Sequence, residues 1–106
     1  MLMPFQDEHW VDSNDNPAGG MSTGIGFTIS WQNGPLGMGI TRKPPNGAFV
    51  ETVLQAVKQR IEFYQEGMFK CEENEKAIYN IQRALDVLDS RTKNRQKRGV
   101  EGTHAK

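Results

Sequence analysis

Arg91, Lys93, Arg95, Lys97 and Arg98 place five cations in eight positions with no acid among them. Guanidinium and ammonium groups at this density suit phosphate. On a helix, Arg91, Arg95 and Arg98 fall on one face at i, i+4 and i+7, where they can meet more than one phosphate oxygen. The chain is neutral overall, with thirteen basic and thirteen acidic residues, so its charge is segregated rather than abundant. Cations near a helix C-terminus also complement the helix dipole, and Glu72, Glu73 and Glu75 complete that pattern at the start of the same helix. Dipole complementation needs one or two charges rather than five, and neighbouring like charges repel. An anionic partner accounts for the surplus.

The residues of catalysis are not arranged for it. His9 and His104 fall in expected tails, and no carboxylate pair, glycine-rich phosphate loop or metal-ligand spacing occurs. Asp12, Asn14 and Asn16 resemble the start of a calcium loop. Pro17 and Thr23, however, stand where that loop needs glycine and glutamate. The single cysteine, Cys71, cannot form an internal disulfide, which suits a reducing cytoplasm. Glutamates follow it and no histidine is near in sequence, so packing is expected of it rather than nucleophilic attack. The expectation is a chain without catalytic residues, metal or cofactor.

These side chains must be positioned by a small scaffold. A chain of 106 residues makes one domain that buries about 60 to 65% of its unfolded surface, which favours oligomerisation. No apolar run approaches the ~18 residues of a membrane span, and the acidic start lacks the features of a signal peptide. Residues 1–23 read as a flexible acidic segment with a Pro17-Ala18-Gly19-Gly20 linker, and residues 24–106 as the domain. Ile25, Phe27, Ile29 and Trp31 alternate with Gly26, Thr28, Ser30 and Gln32, the pattern of a half-buried strand. After Asn33-Gly34 the alternation resumes at Leu36, Met38 and Ile40, so Trp31 is expected opposite Leu36 and Phe27 opposite Ile40. Pro35 lacks the amide that a two-residue turn needs, which allows a wider loop or an edge strand.

Beyond Lys43-Pro44-Pro45-Asn46-Gly47 the period changes. Val50, Val53, Leu54, Val57, Ile61 and Tyr64 predict a helix from about Ala48 to Gln65, and Ile78, Ile81, Leu85 and Leu88 a second from about Cys71 to Arg98. The expected fold class is α+β: an N-terminal two-stranded antiparallel β-ribbon followed by a long antiparallel helical hairpin, oligomeric. The second helix is about ten residues longer than the first, and that overhang is the cationic arm.

Several motifs resemble a known family. Trp31-Gln32-Asn33-Gly34-Pro35, Asn46-Gly47, Arg60-Ile61-Glu62-Phe63-Tyr64-Gln65, Phe69-Lys70-Cys71-Glu72-Glu73-Asn74, Ala84-Leu85, Arg91-Thr92 and Arg98-Gly99-Val100-Glu101-Gly102-Thr103-His104 are similar to the first family of phage Thoeris anti-defence proteins. That family shares its hairpin domain with the second anti-CBASS family. The resemblance runs from about Gly26 to His104. It implies a sponge acting in the cytoplasm of the infected bacterial host, which holds nucleotide second messengers without degrading them. The implied ligands are glycocyclic ADP-ribose and, in some members, cyclic di- or trinucleotides. It also implies an adenine-stacking role for Tyr64, a polar ligand contact for Asn74 and phosphate contacts for Arg91 and Arg95, with Arg60 a weaker candidate. Homodimers assembling into hexamers are implied as well.

Helix geometry adds a constraint of its own. Asn74 and Arg91 are seventeen residues apart, hence roughly 26 Å along one helix, while a small cyclic nucleotide spans about half of that. If these residues share a ligand, the arginines come from an antiparallel neighbour, giving two identical inter-subunit pockets per dimer. Two other classes stay open: a structural oligomerisation module, and a nonspecific nucleic-acid binder. Zero net charge and the lack of a reading motif argue against the second.

Overall fold

The computed structural model describes all 106 residues. They form two compact units, one of Met1–Phe49 with Val100–Lys106 and one of Val50–Gly99. The first holds three strands, β1 (Phe5–Val11), β2 (Pro17–Gly24) and β3 (Phe27–Asn33), and a short 3-10 turn at Gly39–Thr41. The second holds α1 (Val50–Gln65) and α2 (Glu72–Lys97). The fold is α+β, as expected.

The sheet corrects the two-stranded ribbon: it has three antiparallel strands in the order β1-β2-β3. Residues 1–23, expected to be flexible, carry β1 and most of β2. Phe27, Ile29 and Trp31 share one face of β3 as the alternation required, but opposite Gly24, Ser22 and Gly20 rather than the 36–40 segment. Ile25 belongs to the β2–β3 turn beside Gly26, whose φ of 86° is one that glycine adopts readily. The Trp31 indole N–H donates to the Ser22 hydroxyl at 2.9 Å, satisfying a serine that is only 7% exposed.

The Asp12-Asn14-Asn16 pattern closes the β1–β2 turn. One carboxylate oxygen of Asp12 accepts the backbone N–H groups of Asn14 at 2.8 Å and Asn16 at 3.0 Å. These bonds, Asn16 first, hold the Asp12 carboxyl below its ordinary value. A depressed folded pKa contributes stability that is present above the unfolded value of about 3.9 and is lost as pH falls through the folded value. Chemical shifts of Asn14 and Asn16 amides are therefore expected to move below about pH 4, and an Asp12→Asn variant should lose that titration.

The segment after β3 is not a strand. Pro35 brings no amide to a ladder, and Gly37 and Gly39 take φ of 89° and 58°. Gly37 N–H donates instead to Gly102 O at 2.9 Å, and Arg42 meets Glu101 through two hydrogen bonds of 2.7 and 3.0 Å. The Val100–Lys106 segment, expected as a tail containing His104, is thus docked on the first unit. Side-chain amides tie the rest. Gln32 Oε1 accepts Asn46 N–H at 2.9 Å and Gly47 N–H at 3.2 Å, while Asn46 Oδ1 accepts Asn33 N–H at 2.8 Å and its Nδ2 donates to Asn33 O at 2.9 Å. The Gln32 and Asn46 positions of the family-like motifs are therefore structural. Asn46→Ala removes two of these bonds and is expected to cost about 1 to 2 kcal/mol in urea unfolding; an unchanged midpoint would contradict this role.

In the second unit part of the expected seam is packed, whereas Val50, Val57 and Tyr64 of α1 are exposed at 51%, 45% and 39%. Val53, Leu54 and Ile61 of α1 are half-buried, as are Ile78, Ile81, Leu85 and Leu88 of α2. Glu51, Lys58 and Glu62 of α1 line one furrow together with Gln82, Asp86 and Thr92 of α2, so the two helices lie side by side. The stripe of α2 extends beyond its apolar part: Asn74 precedes it and Thr92 and Arg95 continue it, all half-buried. No apolar side chain in either unit is fully buried, and Phe63, Met68, Phe69, Tyr79 and Val87 are more than half exposed.

Candidate functional site

α1 carries Arg60 and Tyr64 one turn apart on the same side. The Arg60 Nε–H donates to the Tyr64 hydroxyl at 3.2 Å, and its guanidinium carbon lies 5.1 Å from the ring centroids of both Phe63 and Tyr64. Those rings are 6.0 Å apart and tilted by 53°. The result is a cation held against two aromatic faces at the exit of α1.

The connection to α2 wraps around these rings. Glu66 and Gly67 N–H groups return to the Phe63 and Tyr64 carbonyls at 3.1 and 3.2 Å. Gln65 clamps the far side: its Nε2 donates to Cys71 O at 3.1 Å and its Oε1 accepts Cys71 N–H at 3.0 Å. Cys71 is the extended N-cap residue of α2 and its side chain makes no capping hydrogen bond; its thiol is exposed, which corrects the expected packing role. Phe63, Tyr64, Glu66, Gly67, Met68 and Phe69 line an open hollow of about 470 Å³. Met68 and Phe69 are 89% and 74% exposed on its rim. Asn74 joins this end of the unit, donating from Nδ2 to Phe69 O at 3.4 Å.

Of the expected residues, Arg60, Tyr64 and Asn74 therefore gather around the α1–α2 turn. Arg91 and Arg95 do not. They stand at the other end of α2, seventeen and twenty-one residues beyond Asn74, or about 26 and 32 Å of helix. Arg91 is exposed and Arg95 half-buried. Their neighbours are partly engaged. Lys93 pairs with Asp89 at 2.9 Å, which raises its pKa through that hydrogen bond and then the carboxylate's charge. Arg98 Nε–H donates to Asn94 Oδ1 at 2.8 Å. The arm is thus less uniformly cationic toward a ligand than its composition suggests, and of its arginines Arg95 is the one that continues the half-buried stripe through Asn74 and Leu88.

Sequence reasoning did not assign Phe63, Met68 or Phe69 to the site. Their signal was that none fits the seam spacing of either helix, which leaves three large apolar side chains without a helical partner. A second concavity of about 480 Å³ lies along the helix pair, lined on α1 by Glu51, Lys58 and Glu62 and on α2 by Asp86 and Asp89 among others. Four carboxylates against one ammonium make it a poor place for phosphate. The aromatic hollow can stack a planar ring and the cationic helix end can meet an anion. No helix is long and apolar enough to cross a membrane.

An antiparallel sheet followed by a helix pair, with exposed aromatics at the turn and arginines at the far helix end, defines a small α+β protein with two chemically distinct poles on one helix pair. No protein-family model matches the chain. Thoeris anti-defense 1 of Bacillus phage SBSphiJ7 is 39% identical to it over 79 residues, 74% of this chain and 53% of that protein. The chain belongs to the Thoeris anti-defence family. It spans about half the length of that relative.

Proposed function

We propose that this chain is a phage anti-defence sponge that removes cyclic nucleotide immune signals by binding them intact. The observation that carries this reading is the polarity of the helix pair: aromatic faces with Asn74 at one end, and Arg91 and Arg95 at the other. Tyr64 offers a face to an adenine, and base stacking of this kind is worth about 1 to 3 kcal/mol. The Arg60 guanidinium, 5.1 Å from the Tyr64 ring centroid, orders that ring and adds positive charge beside it. Asn74 supplies both a donor and an acceptor to base or ribose. Arg91 and Arg95 form charge-assisted, fork-shaped contacts with a diphosphate or phosphodiester.

About 26 Å of helix separates Asn74 from Arg91, so one chain cannot close such a pocket around a small cyclic nucleotide. In the proposed assembly a second copy runs antiparallel and brings its arginines to the first copy's aromatic hollow. A two-fold axis makes two equal pockets. Dimers of this kind are the unit from which hexamers would be built. The favoured ligand class is glycocyclic ADP-ribose, with cyclic di- and trinucleotides as further members, so the consequence is inhibition of Thoeris and, for the latter ligands, CBASS signalling. Binding acts by mass action: signal falls below the threshold of its effector, with no bond broken.

The test mixes purified protein with glycocyclic ADP-ribose or a cyclic oligonucleotide, assays the filtrate, then heats the protein and identifies what is released. Depletion followed by release of the unaltered nucleotide supports the sponge. A changed nucleotide would make the protein an enzyme. No depletion of any ligand would favour a structural module, the reading supported by exposed Tyr79 and Val87 on the outer side of α2 (61% and 67% exposed). Depletion of arbitrary DNA or RNA with a steep salt dependence would favour a nucleic-acid binder.

A further inference from the structure

β1 lies outside the stretch that carries the family resemblance, and it is an open strand. The opposite edge of the sheet is already covered, since Gln32 N–H donates to Ala48 O at 3.0 Å and Ala48 N–H to Ser30 O at 2.7 Å. β1 pairs with β2 on one side and with no strand on the other. All seven of its residues are exposed, including Phe5 at 56%, Trp10 at 46% and Val11 at 60%. Edge strands are normally blunted by charged side chains, lysine above all, by proline or by a bulge, and of these β1 carries the carboxylates Asp7 and Glu8. β1, Phe-Gln-Asp-Glu-His-Trp-Val, contains neither lysine nor proline. The irregularity near its end places its extra residue in β2, where Ala18 and Gly19 stand against Trp10 alone. The outer edge of β1 therefore stays regular along its length.

We propose that β1 pairs antiparallel with β1 of a second copy, about a two-fold axis at Glu8. Opposed residues of an antiparallel ladder share a face, so a two-fold axis perpendicular to the sheet must pass a residue that opposes itself. Three such centres are available near the middle of the strand. An axis at Asp7 opposes two aspartates and sets Phe5 against a histidine. An axis at His9 opposes two histidines and sets Asp7 against Val11. An axis at Glu8 sets Asp7 against the partner's His9, Phe5 against the partner's Val11, and Gln6 against the partner's Trp10, each arrangement occurring twice. A carboxylate opposite an imidazole can accept its N–H across the strands, apolar pairs directly opposite stabilise a ladder, and like charges destabilise it. The one unfavourable contact is Glu8 against its own copy, and that carboxylate accepts the Trp10 indole N–H at 3.3 Å.

The pairing also extends a face that is already apolar. Phe5 and Phe27 rings are 6.1 Å apart on the side shared by Ile29 and Trp31. Joining two copies continues that side across six strands and adds the partner's Val11 beside Phe5. Asp7 and His9, 3.4 Å apart within one chain, exchange into two cross-strand pairs. This contact uses no residue of the aromatic hollow or the arginine arm, so it stands or falls separately from the nucleotide pocket.

Cysteine cross-linking reads the register. Opposed Cα atoms about 4.5 to 5.5 Å apart lie within disulfide reach. In full-length chain carrying Cys71→Ser, Glu8→Cys is expected to form a disulfide dimer under mild oxidation at least tenfold faster than Gln6→Cys or Trp10→Cys alone. A mixture of those last two variants should cross-link to each other. Sedimentation should show Asp7→Lys weakening association at least tenfold, with the exchange Asp7→His plus His9→Asp restoring it. Equal cross-linking at all three positions, no cross-link at position 8, or an Asp7→Lys variant that associates like the unsubstituted chain would overturn the proposal.

Discussion

Replacing Arg91 and Arg95 together by alanine is expected to weaken binding of glycocyclic ADP-ribose by about 100-fold or more, with the helix pair still folded. Hydrogen bonds to charged groups contribute about 1.5 to 3 kcal/mol each, and two arginines on one diphosphate provide at least two. Arg91 is exposed and Arg95 only half-buried, so their loss leaves no cavity. Circular dichroism should therefore be unchanged. Arg91→Lys is expected to recover part of the affinity, since it keeps the charge and loses the fork. Raising salt should weaken the parent protein more than the double variant, because only the parent depends on these charges. Calorimetric titration gives all of these comparisons; a double variant that binds within about threefold of the parent would remove the arginines from the site, a difference below 1 kcal/mol.

Gly20→Ala is expected to be the most destabilising single-methyl change in the sheet. Gly20 is fully buried between β1 and β3, opposite His9 and Trp31, at a φ of 151°. A Cβ there would run into the Glu8 carbonyl oxygen and press on His9 Cα. Both are backbone atoms, so relief requires β1 to move away from β2. A strained backbone combined with overpacking belongs among the mechanisms that cost about 3 kcal/mol or more, which in a chain of this size lowers the melting temperature by about 12 °C or more. Gly34→Ala provides the contrast. Gly34 also has positive φ, at 80°, but nothing lies within 4 Å of its would-be Cβ, so the expected cost is about 1 to 2 kcal/mol from backbone conformation alone. Equal effects at the two positions would show that packing against β1 is not what Gly20 protects.

The helices were legible because apolar spacing carries them. Val53, Leu54 and Ile61 on α1 and Ile78 through Leu88 on α2 are half-buried where their periods put them, and the boundaries agree to within two residues. The sheet was legible only in β3. β1 and β2 read Phe-Gln-Asp-Glu-His-Trp-Val and Pro-Ala-Gly-Gly-Met-Ser-Thr-Gly, and neither shows alternation, because a small sheet with one solvated face can use glycine and serine where β3 uses tryptophan and isoleucine. Leu36, Met38 and Ile40 do alternate, yet their backbone hydrogen bonds go elsewhere. The Gly37 amide is taken by Gly102, 65 residues later in sequence, a partner that no local pattern announces. For the site, the arginine arm was conspicuous in composition, whereas the hollow around Phe63, Met68 and Phe69 emerges only when the turn folds these side chains around Tyr64.

A nucleotide held between two chains can be tested by mixing two variants that are each inactive. Tyr64→Ala/Asn74→Ala lacks the aromatic end, and Arg91→Ala/Arg95→Ala lacks the cationic end. Co-expressed, they should form mixed dimers in about half of the assemblies, each with one complete pocket of two, restoring about one quarter of the parent's capacity at the parent's affinity. Calorimetry of the co-expressed protein with glycocyclic ADP-ribose measures that fraction. Recovery near one quarter is the predicted result; no recovery, despite mass-spectrometric proof of mixed dimers, would contradict a pocket shared between chains.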